Sequence, residues 1–284
     1  MVLRLAAATA TALAVSAGAP SLSVVETARA VQPGELVVLT VTSSGAIAAL
    51  EARAFDRALA PLRAEDGTWR VLVGIDLDVQ PGDYPVGITA RTPDGPVAAI
   101  HDLRVSAKSF RTRRLTVAEG YVNPPAATLR RIEEEAARLD QLWNESAEDR
   151  LWTTPFARPV PQPANSAFGT RSVLNGQPRS PHGGADFASP AGTPIEAPAG
   201  GRVVLAGDLY YTGNTVAIDH GAGLVSLFAH LSRIDVQEGE PVQAGAVVGR
   251  VGATGRVTGP HLHWTVRAGG ARIDPLSLLA VLGR

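Results

Sequence analysis

The chain has 284 residues, enough for two ordinary domains that each bury a core. Its 45% apolar and 19% charged content excludes a disordered polymer, and 26 basic against 27 acidic residues give no electrostatic reason for a nucleic-acid partner. Cysteine is absent, which removes disulfides, thiolate ligands and a cysteine nucleophile and leaves histidine, aspartate and glutamate as plausible metal ligands.

The N-terminus reads as an export signal over residues 1–19. Arg4 supplies a short positive region, a small-apolar run extends from Leu5 to about Ala17, and Val15, Ser16 and Ala17 offer a cleavage site. The run is too short to span a bilayer, and no other stretch is long enough, so no stable membrane insertion is expected after its removal. Residues 20–107 then alternate apolar stretches with turn signals. Leu22–Val25, Leu36–Thr42, Leu50–Phe55, Trp69–Ile75, Tyr84–Arg91 and Val97–Val105 are predicted strands, punctuated by Pro-Gly and Asp-Gly pairs. This spacing predicts a β-sandwich. Its one histidine, His101, stands alone and is expected to be structural.

Residues 108–163 form a connector. A strand is predicted from Phe110 to Val117. After Pro124 and Pro125, the residues Leu129, Ile132, Ala136, Leu139 and Leu142 recur at helical spacing, which predicts an amphipathic helix of about twenty residues packed on a neighbouring domain. The pattern covers too few heptads to support a coiled-coil dimer. Pro155, Pro159, Pro161 and Pro163 mark a linker. Residues 164–284 turn glycine-rich. Strands are predicted at Val203–Ala206, Thr215–Asp219, Leu224–His230, Val247–Val251 and Leu262–Arg267, and a final helix at Pro275–Leu282. The fold class is mostly β: a sandwich, a helical connector and an antiparallel β domain.

The chemistry gathers in this last domain. If His261, Leu262 and His263 lie on a strand, both imidazoles share one face, and Leu262 and Trp264 take the other. His182 and Asp186 flank Gly183 and Gly184, which disfavour a helix and suit a turn entering a strand. His230 is isolated between Leu227 and Leu231. Four histidines and one carboxylate are therefore on offer. Hydrolytic zinc sites take three protein ligands and keep a fourth position open, so the surplus suits catalysis better than a closed structural site. Spacing alone does not choose three ligands from these five. The remaining histidines would orient water or move its proton.

Several stretches run in a recognisable order: Phe168–Arg171, Pro181–Phe187, Gly192–Pro194, Gly213–Val216, Ile218–Gly221, Phe228–Leu231 and Gly255–Trp264. Together they resemble the lysostaphin-type, LytM-like zinc metallopeptidases, endopeptidases of bacterial peptidoglycan. The resemblance covers about Phe168 to Pro275. It implies His182, Asp186 and His263 as ligands of one zinc ion per chain, and His230 and His261 as the catalytic pair. Phe228 stands where a tyrosine is common in the family. Alternation places it on the face of His230, where it would line the cleft. Asn214 is a candidate for substrate contact or for holding a turn, and Tyr210 and Tyr211 for the cleft rim. His220 is expected in a structural turn role. Gly255, Gly259 and Pro260 are expected to shape the approach to the His261 strand.

These readings imply an exported, zinc-dependent endopeptidase acting on peptide cross-links or stem peptides of peptidoglycan, located in the periplasm or cell envelope. The sequence does not choose between glycine bridges and direct cross-links to a diamino acid. A different class of function is a catalytically silent LytM-like activator of a wall amidase. Such relatives typically lack ligands, whereas all are present here. A structural metal site in an adhesion protein would ordinarily be closed by four protein ligands.

Overall fold

The structure, a computed structural model, describes residues 21–116, 124–165 and 168–283. The expected export signal, and the Val117 end of the predicted connector strand, lie outside the described residues. The chain is mostly β. Strands β1 (Leu22–Ala28), β2 (Leu36–Ser43), β3 (Ala49–Ala54), β4 (Arg57–Leu59), β5 (Pro61–Arg63), β6 (Trp69–Gly74), β7 (Gly82–Thr92) and β8 (Gly95–Val105) come first. They form two four-stranded antiparallel sheets, β1-β2-β6-β5 and β4-β3-β7-β8. Val37, Leu39, Val71, Val86 and Ile88 fill the space between them, which makes the sandwich. Strands β4 and β5 are too short to show a period in the sequence.

The connector contributes β9 (Thr112–Leu115) and helix α1 (Ala126–Asn144). Then follow β10 (Arg171–Leu174), β11 (Gln177–Pro178), β12 (Gly184–Phe187), β13 (Pro194–Glu196), β14 (Gly201–Leu209), β15 (Gly213–Gly221), β16 (Leu224–Ile234), β17 (Pro241–Val242), β18 (Val247–Val251), β19 (Leu262–Ala268), β20 (Ala271–Ile273) and helix α2 (Pro275–Leu282). The last domain is a nine-stranded sheet on the path β12-β19-β16-β15-β14-β17, with β13 and β18 folded over one side and β20 paired to β19.

Both faces of this sheet are covered. Val216, Ile218, Phe228, Leu262, Trp264 and Val266 point into the main core. Leu205, Ala217, Val225, Leu227 and Ala229 point the other way, where Leu139, Leu142 and Trp143 of α1 cover them. That double burial explains why β15 and β16 are buried almost without alternation, and why β16 is largely apolar from Leu224 to Leu231. The helix buries mainly its C-terminal half: Leu142 is buried and Leu129 is exposed.

The proline-rich stretch after α1 is held against the sheet. Phe156 and Val160 are buried in the main core, and Phe156 makes a bridge with Gly283. The sandwich is likewise docked rather than tethered. Leu36, Val38 and Leu72 join the core of the C-terminal domain, the Leu36 N–H donates to Ser277 Oγ at 2.9 Å, and Arg272 pairs with Asp76. A Cβ on Gly74 would lie 2.6 Å from the Ala268 carbonyl oxygen, so the two sheets meet backbone to backbone there. No helix among the described residues is long and apolar enough to cross a membrane.

Candidate metal centre and active-site cleft

Register brings three of the candidate ligands together. Asp186 on β12 pairs directly with His263 on β19, which pairs directly with Ala229 on β16. Side chains opposite one another in an antiparallel pair share a face. Ala229 belongs to the face covered by α1, so the site opens on that same face, beyond the helix. His182 reaches it from the turn before β12, whose backbone is fixed by exchange with the two residues that precede β10: the His182 N–H donates to Thr170 O and its carbonyl accepts from Gly169 N–H. Gly184 gives the necessary room, since a Cβ there would lie 2.8 Å from the His263 ring.

The result is a triangle. His182 Nε2 is 3.0 Å from Asp186 Oδ1 and 3.0 Å from His263 Nδ1, and that nitrogen is 2.9 Å from the same carboxylate oxygen. A tetrahedral zinc site with bonds of about 2.0–2.1 Å needs donor atoms about 3.3 Å apart, so the three fit one ion after a small outward adjustment. The ring hydrogens agree. His263 Nε2 is 2.9 Å from Thr265 Oγ1, so its proton belongs on that side and Nδ1 is left as a lone pair. His182 Nδ1 is buried without a partner among the described residues, which makes Nε2 the ligating atom. Side-chain exposures of 15–22% leave the triangle open to the cleft.

Burial opposes the charge on Asp186, yet its close contacts with the His182 and His263 rings outweigh it and hold the carboxyl well below the usual carboxylate range. Burial in turn pushes the His263 imidazole down, so it stays neutral and available as a ligand.

Two more histidines flank the triangle. The His261 Nδ1–H donates to the Gly259 carbonyl at 2.9 Å, and its Nε2 is 3.9 Å from Asp186 Oδ1. The His230 Nδ1–H donates to Thr254 O at 3.0 Å. In its neutral form each ring therefore carries its lone pair on Nε2, and their centroids are 4.9 Å apart. Burial lowers His230 to about 4, so it is neutral at pH 7.

His230 also carries an unusual backbone, with φ of +68°. Between the pairs Val216↔Phe228 and Asn214↔Leu231, β16 spends one residue more than β15. This is a bulge, and a non-glycine residue with positive φ costs on the order of 1 kcal/mol or more. The bulge corrects an expectation. Phe228 does not share a face with His230 and does not line the cleft. It is fully buried and stacked on Trp264, with centroids 6.4 Å apart, because the extra residue reverses the alternation between them. Asn214 is likewise committed elsewhere: its side-chain amide donates to Leu231 O, and its N–H to Thr254 Oγ1. Tyr210 packs edge-on against Tyr211, and it is Tyr211 that lines the cleft. His220 is wholly buried between Gly200 O and Ser226 Oγ, remote from this chemistry.

Residues 180–275 match Peptidase family M23. A solved structure from Pseudomonas aeruginosa, described as a peptidase M23, is 34% identical, with 89% of this chain and 96% of that one covered at a TM-score of 0.68. The chain belongs to peptidase family M23. Two curated relatives are similar over 97 residues: DD-carboxypeptidase/endopeptidase Mpg of Neisseria meningitidis at 45% identity, and Peptidoglycan DD-endopeptidase ShyA of Vibrio cholerae at 42%. Each match covers 34% of this chain, and this chain spans only 22% and 23% of those two proteins.

Within this M23 chain the sequence reading missed three supporting groups. Thr265 was visible in principle, two residues beyond His263 on the same strand face. Thr254 acts through a backbone carbonyl, which no side-chain pattern signals. Arg113 reaches the cleft from the connector, by a strand pairing that no local pattern encodes.

Proposed function

We propose that this chain is an exported zinc endopeptidase that hydrolyses amide bonds in the peptide part of peptidoglycan. The observation that carries the proposal is the triangle of His182, Asp186 and His263 in an open cleft, flanked by two histidines whose tautomers are both fixed by backbone carbonyls. We assign His182, Asp186 and His263 as ligands of one zinc ion per chain, and His230 and His261 as the catalytic pair. Zinc held there supplies Lewis acidity and a nucleophile at neutral pH.

The chain's own residues do the rest. The neutral Nε2 of His230 or His261 accepts the proton of the attacking water, and the resulting imidazolium stabilises the negative charge that develops on the carbonyl oxygen. The Nδ1–H bonds to Thr254 and Gly259 keep each ring aimed throughout. Asp186, held anionic, balances the positive charge. Residues 1–19 are assigned as the export signal, 20–107 as the sandwich, 108–163 as the connector and 164–284 as the peptidase domain, with action in the periplasm or cell envelope. The name of the Vibrio cholerae relative, a peptidoglycan DD-endopeptidase, supports this substrate class.

The test is digestion of purified peptidoglycan. The expected result is about one zinc per chain, release of new amino termini, loss of release with a chelator and recovery with zinc. A metal-free protein that only stimulates a separate amidase would overturn the assignment in favour of an activator.

A further inference from the structure

Helix α1 lies outside the matched family segment, yet it is tied to the hairpin that borders the active-site cleft. Arg131, Glu135 and Arg138 are spaced at the steps that bring helical side chains onto a common face. That stripe runs along β14. Arg138 pairs with Glu238, whose carboxylate also accepts from the Ala206 N–H at 3.0 Å. Arg131 pairs with the Asp208 carboxylate at 2.8 Å and donates to the Asp208 carbonyl as well. Glu135 makes a different kind of bond. One of its carboxylate oxygens takes the Arg131 Nε–H, and the other accepts from the Tyr210 N–H at 2.8 Å. Its side chain is 16% exposed, against 44% for Glu238 and 60% for Asp208, so water competes least for this contact.

Tyr210 opens the short turn between β14 and β15, and the backbone of that turn bonds outside its own hairpin at each residue. The Tyr210 N–H goes to α1, the Tyr211 carbonyl accepts from the Arg256 N–H, and the Thr212 carbonyl accepts from the His230 N–H at 2.8 Å. The last bond bears on the bulge. His230 holds φ of +68°, and a non-glycine residue stays in that region only where its surroundings over-determine it. Its ring is fixed from one side, through Nδ1 to Thr254 O, and its main chain from the other, through Thr212. The turn that carries Thr212 is itself anchored to the helix by Glu135. This path crosses neither β12 nor β19, where Asp186 and His263 sit.

We propose that Glu135 is a positioning residue for His230: a carboxylate on the connector helix holds the turn of residues 210–212, and the turn holds the left-handed backbone that aims the imidazole. Loss of the bond leaves the Tyr210 N–H without its acceptor and frees the turn to shift. A displacement of about 1 Å at a proton-transfer group is enough to slow a reaction strongly. The inference rests on the proposed hydrolysis for its effect on rate, and on geometry alone for the coupling of helix to bulge.

The experiment uses the zinc-loaded full chain. Amide hydrogen exchange at Tyr210 and His230 is followed by NMR, and kcat and KM are measured on a soluble cross-linked peptidoglycan peptide. In Glu135→Ala, exchange at both amides is expected to quicken and kcat to fall about tenfold, with KM and the bound zinc unchanged. Glu135→Gln should restore most of both, because its amide oxygen still accepts from the Tyr210 N–H. Arg138→Ala, which cuts the helix's tie to Glu238, should leave His230 exchange and kcat at parental values. If Glu135→Ala does not fold, Glu135→Asp, one methylene too short for the turn, carries the same readings. Unaltered His230 exchange on loss of the Glu135 contact, or equal losses of kcat in Glu135→Ala and Arg138→Ala, would overturn the proposal. Quickened His230 exchange in a chain that hydrolyses nothing in any form would uphold the coupling and remove the peptidase reading instead.

Discussion

Two hairpins of this molecule have similar length and opposite uses. In the sandwich, β7 and β8 pair from Gly82↔Val105 to Thr92↔Gly95 without one register shift, and β7 alternates buried and exposed residues throughout most of its length. In the C-terminal sheet, β15 and β16 shift register twice, and β16 carries His230 in a left-handed conformation. The regular hairpin gives all its inward positions to a core and has none left for chemistry. The irregular one gives up ladder hydrogen bonds to aim a single imidazole at a cleft. In this chain, function enters where pairing is interrupted.

The contrast can be broken by comparing equivalent deletions. His263→Ala is expected to cost at least about a thousandfold in hydrolysis together with most of the bound metal, as a three-ligand site loses one ligand. His101→Ala, on the regular hairpin, should leave both unchanged. Metal content and initial rates measured side by side decide it. A smaller loss comes from His261→Ala. Fold and zinc are retained and activity drops by about 10²–10⁴, as for removal of a positioned proton-transfer group. Full activity in that variant would remove His261 from the pair.

Stability sharpens the comparison further. Trp264 is completely buried, between Phe187 and Phe228. Trp264→Ala should destabilise by about 3–5 kcal/mol in urea, whereas Ile88→Val in the sandwich core should cost about 1 kcal/mol. The irregular sheet also carries a pH dependence of its own, at His220. Burial lowers the fully enclosed His220 to about 4. Between that value and its unfolded value, about 6.5, the unfolded chain binds the extra proton. Stability is therefore full above about pH 6.5 and declines as pH falls toward 4, by up to about 3 kcal/mol. His220→Gln should lower stability at pH 7 but flatten this slope; an unchanged slope in denaturant titrations would assign it to other groups.

Much of the fold was legible because its signals are local. Six sandwich strands, helix α1 and helix α2 announce themselves through period and flanking prolines. The candidate ligands were legible for a similar reason. His261 and His263 share a face by strand geometry, and the glycines between His182 and Asp186 permit their convergence. The inserted residue at His230 was not legible: a bulge is a mismatch between two strands, and neither strand shows it alone. For that reason Phe228 looked like a cleft residue and proved to be core. The β9–β10 pairing was hidden by distance, since its partners are separated by α1 and the proline-rich stretch.

Thr254 ties several of these parts together. Its carbonyl accepts from His230, its hydroxyl accepts from the Asn214 N–H and donates to Leu231 O, and Gly213 approaches its backbone so closely that a Cβ would lie 2.3 Å away. The Arg256 N–H donates to Tyr211 O, and Gly259 O accepts from His261. Val257 and Thr258 face the cleft with no such tie among the described residues. For anyone redesigning what this protein accepts, the loop is a two-letter keyhole in a fixed lock plate: diversity belongs at those two positions, and a library reaching back to residue 254 would scramble proton handling before it altered preference.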